Sequence, residues 1–313
     1  MIPKTSLPRF TRSAVYLRTY STKMGPVPLA YHLHPAPIPS AAKNDSPLIV
    51  MHGLFGSRQN NHSISKALAK DLNRPVYTLD LRNHGESPHT PYHNYEVMAE
   101  DVEHFLQENK LGPKTVLIGH SMSPPPPQLH FNSTLTPTRG AKTAMAVALR
   151  KPSIISSIIA VDNAPIEAAL HSSFGGYVRA MRKIEHSNLT NTKEADAILA
   201  EVEPDVAIRQ FLLRNLVRSD SGRLGFRIPV GTLARELDNM SAFAYHPDEV
   251  RFEKRALFVR GTQSPYVPDE AVPIIGRFFP LFRLKDIDAG HWVISEKPNE
   301  FKEAVIEFLN EEE

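Results

Sequence analysis

Two hydrophobic patterns alternate along most of this chain. Continuous apolar runs of strand length occur at 29–33, 47–51, 76–81, 115–118, 154–161, 256–259 and 282–284. Apolar residues at helical spacing occupy 63–72, 95–109, 140–149 and 298–310. Strands that are apolar throughout are typical of parallel sheets buried on both faces. The alternation therefore predicts an α/β fold, with a mainly parallel sheet flanked by helices.

A long charged and amphipathic stretch, 166–247, interrupts this alternation before the last two strands. Its apolar positions recur at helical spacing, which predicts a helical lid inserted into the sheet-forming sequence. A chain of 313 residues with 41% hydrophobic residues can bury one large core. We therefore expect one domain over 45–313 that includes the lid. No apolar run reaches the length of a transmembrane segment.

The apolar run 115–118 leads into Gly119-His120-Ser121-Met122, which begins as a nucleophile elbow does. In the elbow pattern G-x-S-x-G, a serine lies on a tight turn between a strand and a helix. A serine hydroxyl becomes an effective nucleophile when an imidazole accepts its proton and a carboxylate fixes the imidazole tautomer. Ser121 is the predicted nucleophile.

Residues 123–139 separate this motif from the helix expected behind it. Ser123 takes the place of the second glycine, and the stretch contains five prolines and no helical period. Joining Met122 to Gly140 restores an elbow followed by a helix rich in small residues. We interpret 123–139 as an insertion from a retained intron, with a genuine loop over the active site as the alternative. Because four successive prolines favour extended geometry, the helix is expected to begin away from Ser121.

The candidate base and acid follow the elbow in the chain. His291 comes after the last predicted strand in a glycine-preceded turn, with an ordinary core or surface histidine as the alternative. Asp162 closes the strand that follows the elbow and is the predicted acid, with Asp269 as the fallback. Ser264 stands after the next strand, and a hydroxyl cannot stabilise an imidazolium as a carboxylate does.

Two backbone amides are candidates for an oxyanion hole. The strand 47–51 ends in a glycine-rich turn, and such a turn can point the Leu54 N–H into a cleft. The Met122 N–H, next to the nucleophile, is the second predicted donor. Asp80, Arg82 and His84 are expected to fix a polar turn rather than to perform catalysis.

These motifs resemble the α/β-hydrolase superfamily over residues 47–309. The segments that look like its mitochondrial branch, called abhydrolase domain-containing protein eleven, are 52–57, 80–85, 119–122, 161–165 and 290–293. Fungal relatives include mitochondrial hydrolases and the yeast ethanol acetyltransferases. The resemblance implies an α/β-hydrolase fold and hydrolysis of a small ester or thioester through an acyl-serine.

Three alternatives to hydrolysis stay open. An alcohol could replace water, which would make an acyltransferase that forms acetate esters from acetyl-CoA and ethanol. The chain could be a non-catalytic partner of mitochondrial enzyme complexes, or the insertion could impair it. No nucleotide-binding motif for coenzyme A is visible.

Composition narrows the classes of ligand. The chain has no cysteine and no histidine–carboxylate spacing typical of metal sites, so we expect neither a metal nor a cofactor. The net charge is only +2, and no basic stripe interleaved with aromatic residues occurs, which argues against nucleic acid as a partner.

The first 44 residues contain six basic residues and no acidic one. Acid-free, basic, serine- and threonine-bearing N-termini are typical of mitochondrial transit peptides. Arg18-Thr19-Tyr20-Ser21 resembles a matrix-peptidase site, with cleavage after Tyr20. We therefore predict a transit peptide and linker over 1–44 and residence in the mitochondrial matrix, with a disordered basic tail as the alternative.

Overall fold

The computed structural model of this protein describes residues 25–38, 46–120, 139–166, 172–236 and 243–311. The predicted nucleophile Ser121, the predicted oxyanion donor Met122 and residues 123–138 of the predicted insertion lie outside these ranges. So do residues 1–24 of the predicted transit peptide.

A seven-stranded sheet forms the centre of the molecule, and a two-stranded hairpin lies in the lid. The strands are β1 (Tyr31–His34), β2 (Leu48–Met51), β3 (Val76–Leu79), β4 (Val116–His120), β5 (Ser157–Val161), β6 (Leu216–Arg218), β7 (Leu224–Phe226), β8 (Ala256–Gly261) and β9 (Phe282–Ile287). The central order is β1-β3-β2-β4-β5-β8-β9, in which only β1 is antiparallel to its neighbour. The prediction of a mainly parallel sheet is confirmed.

The described α-helices alternate with the strands and also form most of the lid. They are α1 (His62–Leu72), α2 (Tyr95–Glu108), α3 (Arg139–Arg150), α4 (Ser172–His186), α5 (Thr192–Ala200), α6 (Val206–Leu213), α7 (Val230–Arg235), α8 (Val272–Phe278), α9 (Val293–Glu296) and α10 (Pro298–Asn310). No helix among the described residues is both long enough and apolar enough to cross a bilayer.

Successive side chains of each strand point to opposite faces of the sheet, so two separate cores form. In β2, Ile49 and Met51 join a core that also receives α2, α3 and the lid. Leu48 and Val50 join the other core, together with α1 and α10. Burial on both faces is the physical reason for the continuous apolar runs.

The start of α3 lies directly against the end of β4. A Cβ atom added to Gly119 would come 2.2 Å from the carbonyl oxygen of Gly140, and one added to Gly140 would come 2.6 Å from that of His120. Only glycine permits this backbone approach. The expectation that the prolines move this helix away from the elbow is therefore wrong. The helix also includes Arg139, the last residue of the predicted insertion.

The lid is mostly helical, as predicted, but it also contains the β6–β7 hairpin. Gly222 has a φ of 81°, and hydrogen bonds from Ser219 N–H to Arg223 O and from Gly222 N–H to Ser219 O close the turn. The signal for this hairpin was the Ser-Asp-Ser-Gly turn, since such residues favour turns over helix. The expectation of helix throughout the lid is wrong at this point.

Candidate active site

A buried carboxylate and a buried imidazole meet at the carboxyl edge of the sheet. Nδ1 of His291 lies 2.5 Å from Oδ2 of Asp162, and neither side chain is accessible to solvent. Because an ionised carboxylate only accepts hydrogen bonds, Nδ1 of His291 must carry the proton. Nε2 is then the ring nitrogen that can accept a proton from a nucleophile.

The Asp162 carboxylate has two further hydrogen-bond donors. The Gly261 N–H donates to Oδ1 over 3.0 Å, and the Ser264 hydroxyl donates to Oδ2, which it shares with His291. Hydrogen bonds to an ionised acceptor are stronger than neutral ones. The site therefore holds the carboxylate in one orientation and directs one oxygen at His291.

Asp162 directly follows strand β5 and has a strained backbone conformation. Its φ is 51°, in the left-handed region that non-glycine residues seldom adopt, and its N–H donates to Val259 O over 2.7 Å. Val161, just before it, pairs across the sheet with His120 of β4. Since Ser121 directly follows His120, the two parallel strands end at the same level, one before the predicted nucleophile and one before Asp162.

His120 connects the end of β4 to His291. It is 1% exposed, and burial together with the charge of the nearby His291 lowers the pKa of His120 to about 3. His120 is therefore neutral at physiological pH, so it does not repel a positive charge that develops on His291. No role for this residue of the elbow motif was predicted from the sequence.

The loop that carries His291 is held from both sides. A Cβ on Gly261 would lie 2.3 Å from Gly290 O, so β8 packs directly on the loop backbone. The Glu296 carboxylate accepts the N–H groups of Gly290 and Trp292 at 2.7 and 3.1 Å. The Tyr266 ring stacks on His291 with centroids 3.8 Å apart.

The turn after β2 is fixed by a histidine and by a strained phenylalanine. His52 Nε2 accepts the Leu81 N–H at 3.0 Å, and its Nδ1 lies 2.7 Å from Gly53 O, so Nδ1 carries the proton. Phe55 has a φ of 60°. The Leu54 N–H makes no backbone hydrogen bond to a described residue, and its role as an oxyanion donor stays a prediction.

Asp80, Arg82 and His84 have structural roles, as expected. Asp80 accepts the Arg58 N–H at 2.7 Å and also pairs with its guanidinium. Arg82 forms two hydrogen bonds of 2.6 Å to the buried carboxylate of Asp101. His84 Nε2 accepts the Phe55 N–H at 3.3 Å. These contacts fix the turns next to the turn after β2, which carries Leu54.

The structure distinguishes the two candidate acids and adds two residues to the site. Asp269, the fallback acid, is 90% exposed and pairs with Arg260 at 2.6 Å, away from His291. Ser264 was noticed as a missing carboxylate, but its contact with Asp162 was not foreseen. Glu296 was not singled out at all, because a glutamate in a surface helix carries no sequence signal for holding a loop.

Two small cavities border the rings of a contact between the lid and the loop that carries His291. Phe211 of α6 and Trp292 have centroids 5.7 Å apart. A cavity of about 180 Å³ borders His291, Trp292 and Ser264, and one of about 240 Å³ borders Phe55 and Phe211. The Asn215 side chain donates a hydrogen bond to Phe55 O at 2.8 Å, which connects the lid to the turn after β2.

Comparison with known proteins gives a family match. A family model described as alpha/beta hydrolase fold matches residues 46–122 and 139–298. The match covers more than half of the chain and includes the segments that carry Asp162 and His291. It leaves out residues 123–138, nearly the whole of the predicted insertion.

Named relatives match over most of their length. A probable alcohol acetyltransferase of Saccharomyces cerevisiae is 40% identical over 85% of this chain and 78% of its own. The sn-1-specific diacylglycerol lipase ABHD11 of Mus musculus is 36% identical over 91% of this chain and 86% of its own. The similarity thus extends to both an acyl transferase and a lipase.

Among solved structures, a marine microorganism esterase has a similar fold. It superposes with a TM-score of 0.77 at 29% sequence identity, covering 90% of this chain and 99% of the esterase.

Proposed function

Because the chain belongs to the α/β-hydrolase family, as its sequence motifs predicted, we propose that it is a mitochondrial serine hydrolase of short-chain carboxylic esters or thioesters. Ser121 is the proposed nucleophile, His291 the general base, and Asp162 the acid that orients it. Leu54 and Met122 are the proposed oxyanion donors. Neither a metal nor a cofactor takes part in the proposed reaction.

The contact between Asp162 and His291 is the observation that carries this proposal. A buried carboxylate 2.5 Å from Nδ1 selects the tautomer in which Nε2 is unprotonated. The residue before Ser121, His120, lies close enough to His291 to be affected by its charge. Ser121 is thus the serine whose chain position supports a hydrogen bond to that Nε2.

The proposed reaction has two halves. The Ser121 oxygen attacks the acyl carbon while His291 Nε2 takes its proton, and the oxyanion accepts hydrogen bonds from the Leu54 and Met122 N–H groups. The tetrahedral intermediate collapses, the leaving oxygen or sulfur takes the proton from His291, and an acyl-serine remains. Water, deprotonated by His291, then releases the acid and restores Ser121.

A cavity of about 180 Å³ lies beside the loop that carries the buried His291 imidazole. The yeast relative supports a second candidate function, in which ethanol replaces water and acetyl-CoA is the donor.

A labelling experiment and a product assay test the proposal. We expect a fluorophosphonate probe to label the wild type at Ser121 and to leave Ser121→Ala unlabelled. Release of p-nitrophenol from p-nitrophenyl acetate should follow the labelling. Ethyl acetate formed from acetyl-CoA and ethanol faster than acetate would favour the acyltransferase. No labelling of a chain with or without 123–139 would refute a serine enzyme.

We also propose that residues 123–139 impair the enzyme in this exact chain. The family match supports an insertion because it resumes at residue 139. The helix behind the elbow stays against β4, so its dipole is not displaced. Impairment would instead come from the lost covalent link, since Met122 no longer continues directly into the first turn of the helix. Its N–H, as an oxyanion donor, is worth about a hundred- to a thousandfold in rate.

A deletion tests this second proposal. We expect the chain lacking 123–139 to hydrolyse p-nitrophenyl acetate at least about a hundredfold faster than the full chain. Equal rates and equal labelling of Ser121 in both chains would support a genuine active-site loop.

Mitochondrial matrix residence is proposed from the acid-free basic N-terminus. N-terminal sequencing of the protein from cells is expected to begin at Ser21. An intact Met1, or a cytosolic fluorescent fusion of residues 1–40, would refute it.

A further inference from the structure

Three histidines meet at the edge of the sheet, away from the candidate active site. His32 and His34 are two residues apart in β1, so both project from the same face of this edge strand. His62 is the first residue of α1. One ring nitrogen of each lies within 4.8 Å of the others. Sequence spacing did not reveal this set because strand β1 and helix α1 are distant in the chain.

The geometry points to a site for a late first-row divalent metal of the zinc class, with His32, His34 and His62 as ligands; we propose it as a new site. Zinc bonds imidazole nitrogen at about 2.0–2.1 Å, which puts tetrahedral ligand atoms roughly 3.3 Å apart. His32 and His62 are accessible to solvent, so rotation of their rings can close the set around one ion. Imidazole suits zinc, copper or nickel better than magnesium or calcium.

The buried member of the set supports a ligand role. His34 is 5% exposed, and its Nε2 has no hydrogen-bond partner among the described residues. Buried polar atoms are nearly always paired, so this one needs an explanation, and an ion is among the usual ones. A metal bound between the three rings would satisfy a buried imidazole that otherwise loses hydration without compensation.

The surroundings leave room for a fourth ligand. The three histidines line a groove of about 750 Å³, together with Pro37, Lys66 and Lys70. Three histidines and one open position are the arrangement of open zinc sites, in which water completes the tetrahedron. A bound ion would also cross-link the edge strand β1 to α1.

Zinc titration of the untagged, metal-free full chain tests the site. By isothermal titration calorimetry at pH 7.5 we expect one zinc ion per chain. Cobalt(II) should give the visible absorption bands of a tetrahedral site. His32→Ala and His62→Ala should each weaken zinc binding about 100-fold or more, because even the loss of an outer partner of a metal ligand costs about 10–100-fold.

The control is His246→Ala, which removes another accessible histidine, 61% exposed and outside the cluster. It should bind zinc as the wild type does. His34→Ala carries the risk of misfolding, so the two accessible variants decide the question. Absence of saturable binding would overturn the site, as would unchanged affinity in both accessible variants or an equal loss in the control. None of these outcomes depends on the esterase activity.

Discussion

Replacing Asp162 by asparagine tests the proposed triad, because the structure dictates how the amide must turn. The Gly261 N–H donates to Oδ1 and cannot become an acceptor, so the amide oxygen has to stay on that side. The amide NH₂ then faces His291 Nδ1, which must lose its proton to accept a hydrogen bond. The proton moves to Nε2, the nitrogen that should accept it from Ser121.

The wrong tautomer removes the base while leaving the fold in place. The same change in serine proteases lowers kcat about 10⁴-fold, which is about 5.4 kcal/mol of transition-state stabilisation at 1.36 kcal/mol per tenfold. We expect a loss of this size in kcat for p-nitrophenyl acetate. The chain lacking 123–139 should serve as the background, with unfolding by circular dichroism to confirm an unchanged fold.

Asp269→Asn is the matched control, because it makes the same change at the exposed alternative acid. Its kcat should stay within about twofold of the parent, since an exposed ion pair is worth only about 0–1 kcal/mol. An Asp162→Asn variant that folds and retains more than a tenth of the parental kcat would refute the assignment. So would a larger loss in Asp269→Asn.

Three further predictions concern the contacts around the site. Ser264→Ala should destabilise the fold by about 1.5–3 kcal/mol in urea unfolding, since a hydrogen bond to a charged group is worth that much; a cost under about 0.5 kcal/mol would contradict this. Gly119→Ala should destabilise the fold by about 1–3 kcal/mol in urea unfolding because its methyl group would overlap Gly140, whereas Gly112→Ala, with open space around it, should be neutral. Asp101→Asn should cost about 3–5 kcal/mol in the same measurement, because it leaves the buried Arg82 cation uncompensated; a cost under 1 kcal/mol would show that the pair is dispensable.

The sheet and its flanking helices could be predicted because their signals are local. Each buried strand carries an apolar run, and α10 occupies the span that its period indicated. The ends of strands were harder. The run from Val76 was expected to continue to Leu81, but β3 ends at Leu79, although the Asp80 N–H still donates to Ala30 O in the register of β1 and β3. Strand ends depend on pairing with residues distant in the chain, and their assignment varies by one or two residues.

The acid could be chosen only provisionally from the sequence, because both carboxylates follow a strand. In the structure Asp162 is the carboxylate that contacts His291, since β5 lies between β4 and β8 and carries Asp162 to that histidine. The physical reason is that parallel strands bring their carboxyl ends to one edge regardless of their distance in the chain. Asp269 stands beyond β8 on the surface, where Arg260 neutralises it.

The sequence by itself determined the features that are encoded within a few neighbouring residues. These are the apolar runs, the start of the elbow motif and the glycine-preceded histidine. Tertiary structure alone decided the place of α3, the supports of His291 and the histidine cluster. The prolines predicted a displaced helix, yet the close fit of Gly119 and Gly140 holds the helix against β4. Packing across the sheet outweighs a local preference, because it brings together groups that no sequence window contains.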